Sequence, residues 1–262
     1  MGCSGTRVLI TRTAEDNPAL AALLAARGAV AISFPCIEFS DPADMEPLDR
    51  ALRCLSGPAA PHWVVLSSPQ AVGRLVARLA VLGLSPIESL RSCSLAAVGS
   101  GTAEALGVLG LHASLVPDSG AGAAALAKAL LPLVRGQRVL LPRAEQGSPV
   151  LAAALVAGGA EVLAVAAYRT LPAAASDPDG LRALRDGVVQ GILFASGSAV
   201  RGFVALLGAE AAALAAKAKV ACMGARCAGE ARALGLRVDA VAGGAFPELI
   251  DALCAALATA PD

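Results

Sequence analysis

Three observations predict an α/β protein of two similar parallel-sheet domains. Short apolar runs alternate with helical stretches along the chain, the strand–helix–strand grammar that builds a parallel sheet. Three successive segments recur at a nearly constant offset, which marks an internal duplication rather than a solenoid. The aperiodic, proline-rich stretches lie away from the repeat boundary, so the two domains are interleaved rather than consecutive.

The elements follow in order. RVLIT (7–11) is a short strand. Asp16 or Asn17 offers an N-cap, Pro18 suits the first helical position, Leu20, Leu23 and Leu24 mark one face, and Gly28 ends the helix. AVAISF (29–34) is the next strand. The segment 138–162 repeats 7–31 at an offset of 131 residues: Arg7, Arg12, Pro18, Leu20, Leu24, Gly28 and Ala29 meet Arg138, Arg143, Pro149, Leu151, Leu155, Gly159 and Ala160. WVVLSSPQAV (63–72) and ILFASGSAV (192–200) correspond at an offset of 128, and LAAVGSGTAEALGVLGL (95–111) and VACMGARCAGEARALGL (220–236) at 125.

The stretches PCIEFSDPADMEP (35–47) and LPAAASDPD (171–179) read as linkers. They enclose a central domain, 43–168, with strands expected near 62–67, 94–98, 111–116, 138–141 and 161–166. The other domain combines 1–35 with 173–262 and has strands expected at 7–11, 29–33, 191–195, 219–223 and 236–241, leaving linkers at about 36–42 and 169–172. Two crossings between domains suit a hinge with a cleft.

Composition excludes several classes. Formal net charge is zero, with 21 basic and 21 acidic residues, so no basic field attracts nucleic acid. One Trp, one Tyr and five Phe are too few for a stacking platform for bases or a flavin. The most membrane-like window, 150–168, carries Gly158, Gly159 and Glu161 at its centre, which fits helix, turn and strand better than a bilayer span. No stretch reads as a signal peptide, and cytoplasm is the expected compartment. The opening MGCSGT matches a myristoylation pattern at Gly2 and Thr6, read as chance because a strand follows directly. Seven scattered cysteines without a CxxC or a Cys/His cluster read as reduced, mostly buried thiols.

In a parallel sheet, ligands bind beyond the carboxyl ends of the strands. Five loops there are rich in small hydroxyls or glycine: TRTAEDNP (11–18), SSPQ (67–70), VGSGT (98–102), ASGS (195–198) and MGAR (223–226). Ser68 precedes Pro69 as an N-cap would, and Ser196 or Ser198 caps the equivalent helix. Free N–H groups and the positive helix end favour an anion there, although serine is a preferred cap in any helix. GSG at 99–101 lacks the last glycine of a dinucleotide fingerprint. Arg12 and Arg143 stand just past strand ends, as carboxylate ligands or as exposed charges, and His62 and His112 have no expected catalytic role. No histidine or acidic residue adjoins either serine, so a serine nucleophile is not indicated.

The interleaved duplication, VVLSSPQAV with AAVGSGTAEAL, the AYRT segment (167–170), and LFASGSAV with ACMGARCAGEARALG resemble the uroporphyrinogen-III synthase family, in register over nearly the whole chain. The resemblance implies a bilobal fold of two flavodoxin-like α/β domains joined by a two-stranded linker. It implies a lyase of tetrapyrrole biosynthesis, acting as a cytoplasmic monomer without metal or organic cofactor. The substrate is then hydroxymethylbilane, a linear tetrapyrrole with eight carboxylates handed over by the preceding pathway enzyme. It closes to uroporphyrinogen III with loss of water and inversion of the last pyrrole ring; unaided closure gives the type I isomer. No nucleic acid or membrane is an expected partner.

The resemblance marks Tyr168, in the family's Tyr-x-Thr segment, as a proton donor to the departing hydroxyl. The expected substrate contacts are Arg12, Ser67, Ser68, Gly99, Ser100, Thr102, Arg143, Ser196, Ser198, Gly224 and Arg226. Thr102 matches a threonine of the family's VGxxT element; in the second copy Cys227 stands there, and Ala195 stands where the first copy has Ser67. The alternatives are a non-catalytic two-lobed protein that binds or senses an anionic metabolite and, weakened by the shortage of aromatics, a flavodoxin-like redox protein.

Overall fold

A computed structural model describes residues 3–117, 122–243 and 245–259; Gly2, the acceptor in the myristoylation pattern, lies outside them. Along the chain run β1 (Arg7–Ile10), α1 (Asn17–Ala25), β2 (Val30–Ser33), β3 (Ile37–Ser40), α2 (Glu46–Arg53), β4 (Trp63–Leu66), α3 (Pro69–Val81), α4 (Pro86–Leu90), β5 (Ser94–Ala97), α5 (Ser100–Val108) and α6 (Ala123–Leu130). They continue with β6 (Arg138–Ala144), α7 (Val150–Ala157), β7 (Glu161–Pro172), α8 (Pro178–Arg185), β8 (Gly191–Phe194), α9 (Gly197–Leu207), α10 (Ala211–Ala215), β9 (Lys219–Met223), α11 (Gly224–Ala233), β10 (Ala240–Ala242) and α12 (Phe246–Ala258). Two compact units result: Met1–Phe39 with Thr170–Asp262, here the first, and Ser40–Arg169, the second.

The first unit holds a five-stranded sheet in the order β10-β9-β8-β1-β2, parallel throughout. Its strands are nearly all apolar because helices cover both faces. Alternation sorts the side chains: Leu9, Ile192, Phe194 and Val220 join a cluster with Val200 and Phe203 of α9 and Ala228 and Ala231 of α11. Val8, Ile10, Leu193 and Ala221 face the other way, against Leu20 and Leu24 of α1 and Leu249, Ile250 and Leu253 of α12. Phe203 meets Phe34 and Phe194 edge to face, with ring centroids 6.0 and 5.3 Å apart.

The second unit's sheet runs β3-β7-β6-β4-β5, with β7, β6, β4 and β5 parallel neighbours. Val65, Ala96, Val139 and Leu141 pack there with Leu126 and Leu130 of α6 and Leu151 and Leu155 of α7. The duplication is visible in local conformation: Gly28 and Gly159 follow corresponding helices at φ 77 and 88°, left-handed angles that a side chain resists.

Several expectations need correction. LHASLV (111–116) forms no strand: Leu115 makes only an isolated bridge to Ala96, and Pro117, which has no N–H to donate, follows within two residues. The last strand of the first unit lies at Ala240–Ala242 rather than 236–241. The two-stranded linker that the resemblance implies is borne out: within 36–42, Ile37–Ser40 forms β3, which pairs beside β7, itself running through to Pro172. The thiols are not all reduced: Cys3 and Cys254 form a disulfide that ties the start of the chain to α12, while Cys36, Cys54, Cys93, Cys222 and Cys227 are free. Two cysteines 251 residues apart carry no spacing signal of their pairing.

The run Gly197–Ala215 is long and apolar enough to cross a membrane by length and composition. It is α9, a tight turn Gly208–Glu210 and α10, bent where Gly208 adopts φ 56°. Its Val200, Phe203, Leu207, Ala211 and Leu214 sit in the core of the first unit.

Candidate active site

In the second unit, β4 ends at Leu66 and the chain turns through Ser67 and Ser68 into α3. Ser68 is extended, φ −166° and ψ 155°, and its Oγ accepts the Ala71 N–H at 3.1 Å. Pro69 opens the helix, where its missing N–H is harmless. The same Oγ lies 3.1 Å from the Tyr168 hydroxyl. Tyr168 is buried at 8 % exposure in β7, opposite Ala144 of β6, and its carbonyl accepts the Glu145 N–H at 2.8 Å. Since β6 lies between β7 and β4, the phenol reaches across the end of β6 to the cap of α3.

The neighbouring turn after β5 places Gly99 before α5 with φ 177°, an extended conformation, and its carbonyl accepts the Thr102 and Ala103 N–H groups at 3.1 Å. Ser100 is exposed at the start of the helix, and Thr102 is buried at 2 % exposure. Arg143 lies inside β6, not past its end, because the strand continues to Ala144. Its Nη1 donates to the Gly147 and Ser148 carbonyls at 2.8 and 3.1 Å, so this guanidinium closes its own loop.

In the first unit, Ser196 repeats the Ser68 cap with φ −160° and ψ 156°, accepting the Ala199 N–H at 3.2 Å. Its second partner differs: Oγ of Ser198, at 2.9 Å. Gly224 begins α11 at φ 76°, and Arg226 stands exposed in the first turn. Cys227, in the place of Thr102, is buried and donates its thiol to the Phe194 carbonyl at 3.5 Å, so it offers no hydroxyl to the loop. Arg12 pairs with Asp16 at 2.5 Å and lies over the Phe246 ring, 5.3 Å from its centroid. Like Arg143 it bridges to a residue four further on, and neither is an unengaged charge.

The five loops therefore fall into two groups. Ser67, Ser68, Gly99, Ser100, Thr102, Arg143 and Tyr168 belong to the second unit, and Arg12, Ser196, Ser198, Gly224 and Arg226 to the first. Sequence reasoning misses the support behind Tyr168. Asp41 accepts Arg74 of α3 on its carboxylate at 3.1 Å and Arg169 Nε on its carbonyl at 2.8 Å. One residue thus ties the helix capped by Ser68 to the neighbour of Tyr168. No local spacing announces such a contact; a proline-flanked aspartate is the only hint. His62 accepts the Arg138 N–H on Nδ1 at 2.9 Å, a role in holding the strand start.

Comparison with known proteins agrees with this architecture. The family model described as uroporphyrinogen-III synthase HemD matches residues 18–248. A uroporphyrinogen-III synthase from Synechococcus elongatus is 34 % identical over 204 residues, covering 78 % of this chain and 75 % of that protein. Two solved structures share the fold. A mutant uroporphyrinogen III synthase from the extremely thermophilic bacterium Thermus thermophilus superposes with a TM-score of 0.60 at 24 % identity, covering 97 % of this chain and 99 % of that one. A uroporphyrinogen-III synthetase from Helicobacter pylori gives 0.58 at 14 %, covering 94 % and 97 %. The duplicated sheets, the strand-to-helix loops and the matched sequence lead to one assignment: the chain belongs to the uroporphyrinogen-III synthase family.

Proposed function

We propose that the strand-to-helix loops of the two units carry the chemistry of this chain. Its reaction is that of its family: a lyase closure of hydroxymethylbilane to uroporphyrinogen III, with loss of water and inversion of the last ring. The observation that carries the proposal is the matched pair of caps, Ser68 and Ser196, each at the start of a helix of more than two turns. There the first-turn N–H groups that the serine does not accept, Gln70 in α3 and Gly197 and Ser198 in α9, have no intrahelical partner. A substrate with eight carboxylates offers acceptors for the hydroxyls of Ser67, Ser100 and Thr102 and the backbone N–H groups at Ser68 and Gly99 in the second unit, and for the donors of Ser196, Ser198 and Gly224 in the first. Backbone donors do this without a basic surface, which fits a net charge of zero. Arg226, exposed and unengaged among the described residues, is the readiest guanidinium for a carboxylate. Arg12 and Arg143 shape their loops and meet substrate through the charge that remains.

Closure of the bilane proceeds unaided to the wrong isomer, so holding the chain of rings in the productive fold and excluding the competing closure is the main task. Tyr168 is the proton donor to the departing hydroxyl in this reading, supported by its burial beside a helix N-terminus. The reading makes the chain a cytoplasmic monomer that receives its substrate from the preceding enzyme and uses no cofactor. The test supplies hydroxymethylbilane to the purified protein, oxidises the products and separates the porphyrin isomers. Type III product is expected; exclusive type I overturns the proposal.

A further inference from the structure

We propose that Ser68 is a positioning residue for Tyr168: its hydroxyl orients the phenol and holds the phenolate formed when that proton is given up. This deepens the reading of Tyr168 as proton donor and rests on it. Ser68 Oγ already accepts the Ala71 N–H, which fixes its oxygen at the positive end of α3. An oxygen that accepts from a backbone N–H is polarised to donate its own hydrogen, and the phenol oxygen 3.1 Å away is positioned to accept it. With the bond in that direction, the proton of Tyr168 is directed away from Ser68 toward another acceptor.

The step balances. The hydroxymethyl C–O bond breaks with its electron pair going to oxygen, and the Tyr168 proton joins that oxygen so that water leaves. The pyrrole nitrogen lone pair fills the carbon left behind, giving an azafulvenium cation. The negative charge stays on the Tyr168 oxygen, where the Ser68 hydroxyl and the α3 terminus stabilise it. The geometry is held from both sides. Asp41 links Arg74 of α3 with Arg169 beside Tyr168, and the Glu145 N–H fixes the Tyr168 carbonyl. The charged groups on the elements around the phenol are Arg138 and Arg143 of β6 with Glu145 after it, Glu161 and Arg169 of β7, Arg74 and Arg78 of α3, Glu104 of α5, and Asp41 after β3. The matched cap in the first unit has no such connection, since Ser196 meets Ser198 and the chain contains one tyrosine.

That single tyrosine makes the test direct, because the tyrosinate absorption band reports Tyr168 alone. In Ser68→Ala the band is expected to appear at higher pH than in the parent protein. Turnover falls about tenfold, the size of one lost hydrogen bond to a charged oxygen, with KM nearly unchanged; Ser68→Thr, which keeps the hydroxyl, restores both. Ser68→Asp keeps the helix cap but places an acceptor against the phenol. It is expected to move the band further in the same direction, and so tests the idea even where the alanine variant fails to fold. Ser196→Ala, which removes the matched cap, is expected to leave the titration unchanged. A band that stays in place in both Ser68→Ala and Ser68→Asp overturns the proposal, as does full turnover in Tyr168→Phe. The isomer ratio of the parent protein is read separately, so a failure of Ser68 is distinct from a failure of the synthase reading.

Discussion

Ser68 and Ser196 start α3 and α9 with the same extended backbone and the same hydrogen bond to the residue three further on. The inward stripes that follow also correspond: Ala71, Val72, Leu75 and Leu79 are buried in one helix, and Ala199, Val200, Phe203 and Leu207 in the other. The flanks do not. Where α3 has Arg74, paired with Asp41, α9 has Gly202, packed so closely on the Cys36 carbonyl that a Cβ would collide with its oxygen. One turn later, Arg78 of α3 grips Asp49 of α2 through two 2.6 Å bonds, whereas Leu206 of α9 packs against the apolar core. Duplication thus preserved the cap and the inward stripe, which every helix on a sheet requires. The flanks were free to diverge into ionic attachment in one unit and close apolar packing in the other.

The largest effect is expected from Gly202→Ala. An exposed helix interior gains about 1 kcal/mol from this change, but here the added methyl meets a backbone oxygen that cannot rotate away. A destabilisation of about 3 kcal/mol is expected, read as a lower denaturant midpoint. Arg74→Ala at the corresponding position removes an ion pair whose Asp41 carboxylate is exposed, and a loss under about 1 kcal/mol is expected. Equal losses at the two positions would break the contrast.

The ionic attachment adds a pH dependence. The Arg78 hydrogen bonds hold the Asp49 carboxyl below its ordinary range. A carboxyl depressed on folding contributes stability above its unfolded value, about 3.9. That contribution is lost as pH falls through the folded value. Asp49→Asn is expected to cost about 2 kcal/mol at neutral pH and progressively less as the solution is acidified below pH ~4. Urea unfolding of parent and variant at neutral and acid pH measures this, and a pH-independent difference would assign the loss to packing instead.

The same contrast explains what can be read from sequence. Caps and inward stripes follow local rules: serine before proline, apolar residues three and four apart. The strands RVLIT and KVACM and the capped turns at Ser68 and Ser196 are therefore legible within a residue or so. The flank contacts are not, since Asp41 lies 33 residues from Arg74 and the partner of Gly202 is a carbonyl, which carries no residue signature. Resemblance marks Tyr168 and capping logic marks Ser68, yet their contact spans 100 residues and emerges only when β6 is set between β7 and β4. The strand expected at 111–116 does not form because Pro117 ends the pairing after one bridge, a tertiary outcome that apolar content alone does not decide.

A modest effect sharpens the comparison most, because it concerns the feature both units share. Neither α3 nor α9 has an acidic residue in its first turn to take over from the capping serine. Ser68→Ala and Ser196→Ala should therefore each lower stability by about 1 kcal/mol, the ordinary size of a lost N-cap, measured as a shift in denaturant midpoint. If Ser196→Ala is silent, its hydroxyl is not needed to start α9, and its place in the loop must be explained by the ligand alone. If both losses appear, the caps are structural in both units, and the difference between them reduces to what each hydroxyl touches next: Tyr168 in one unit and Ser198 in the other.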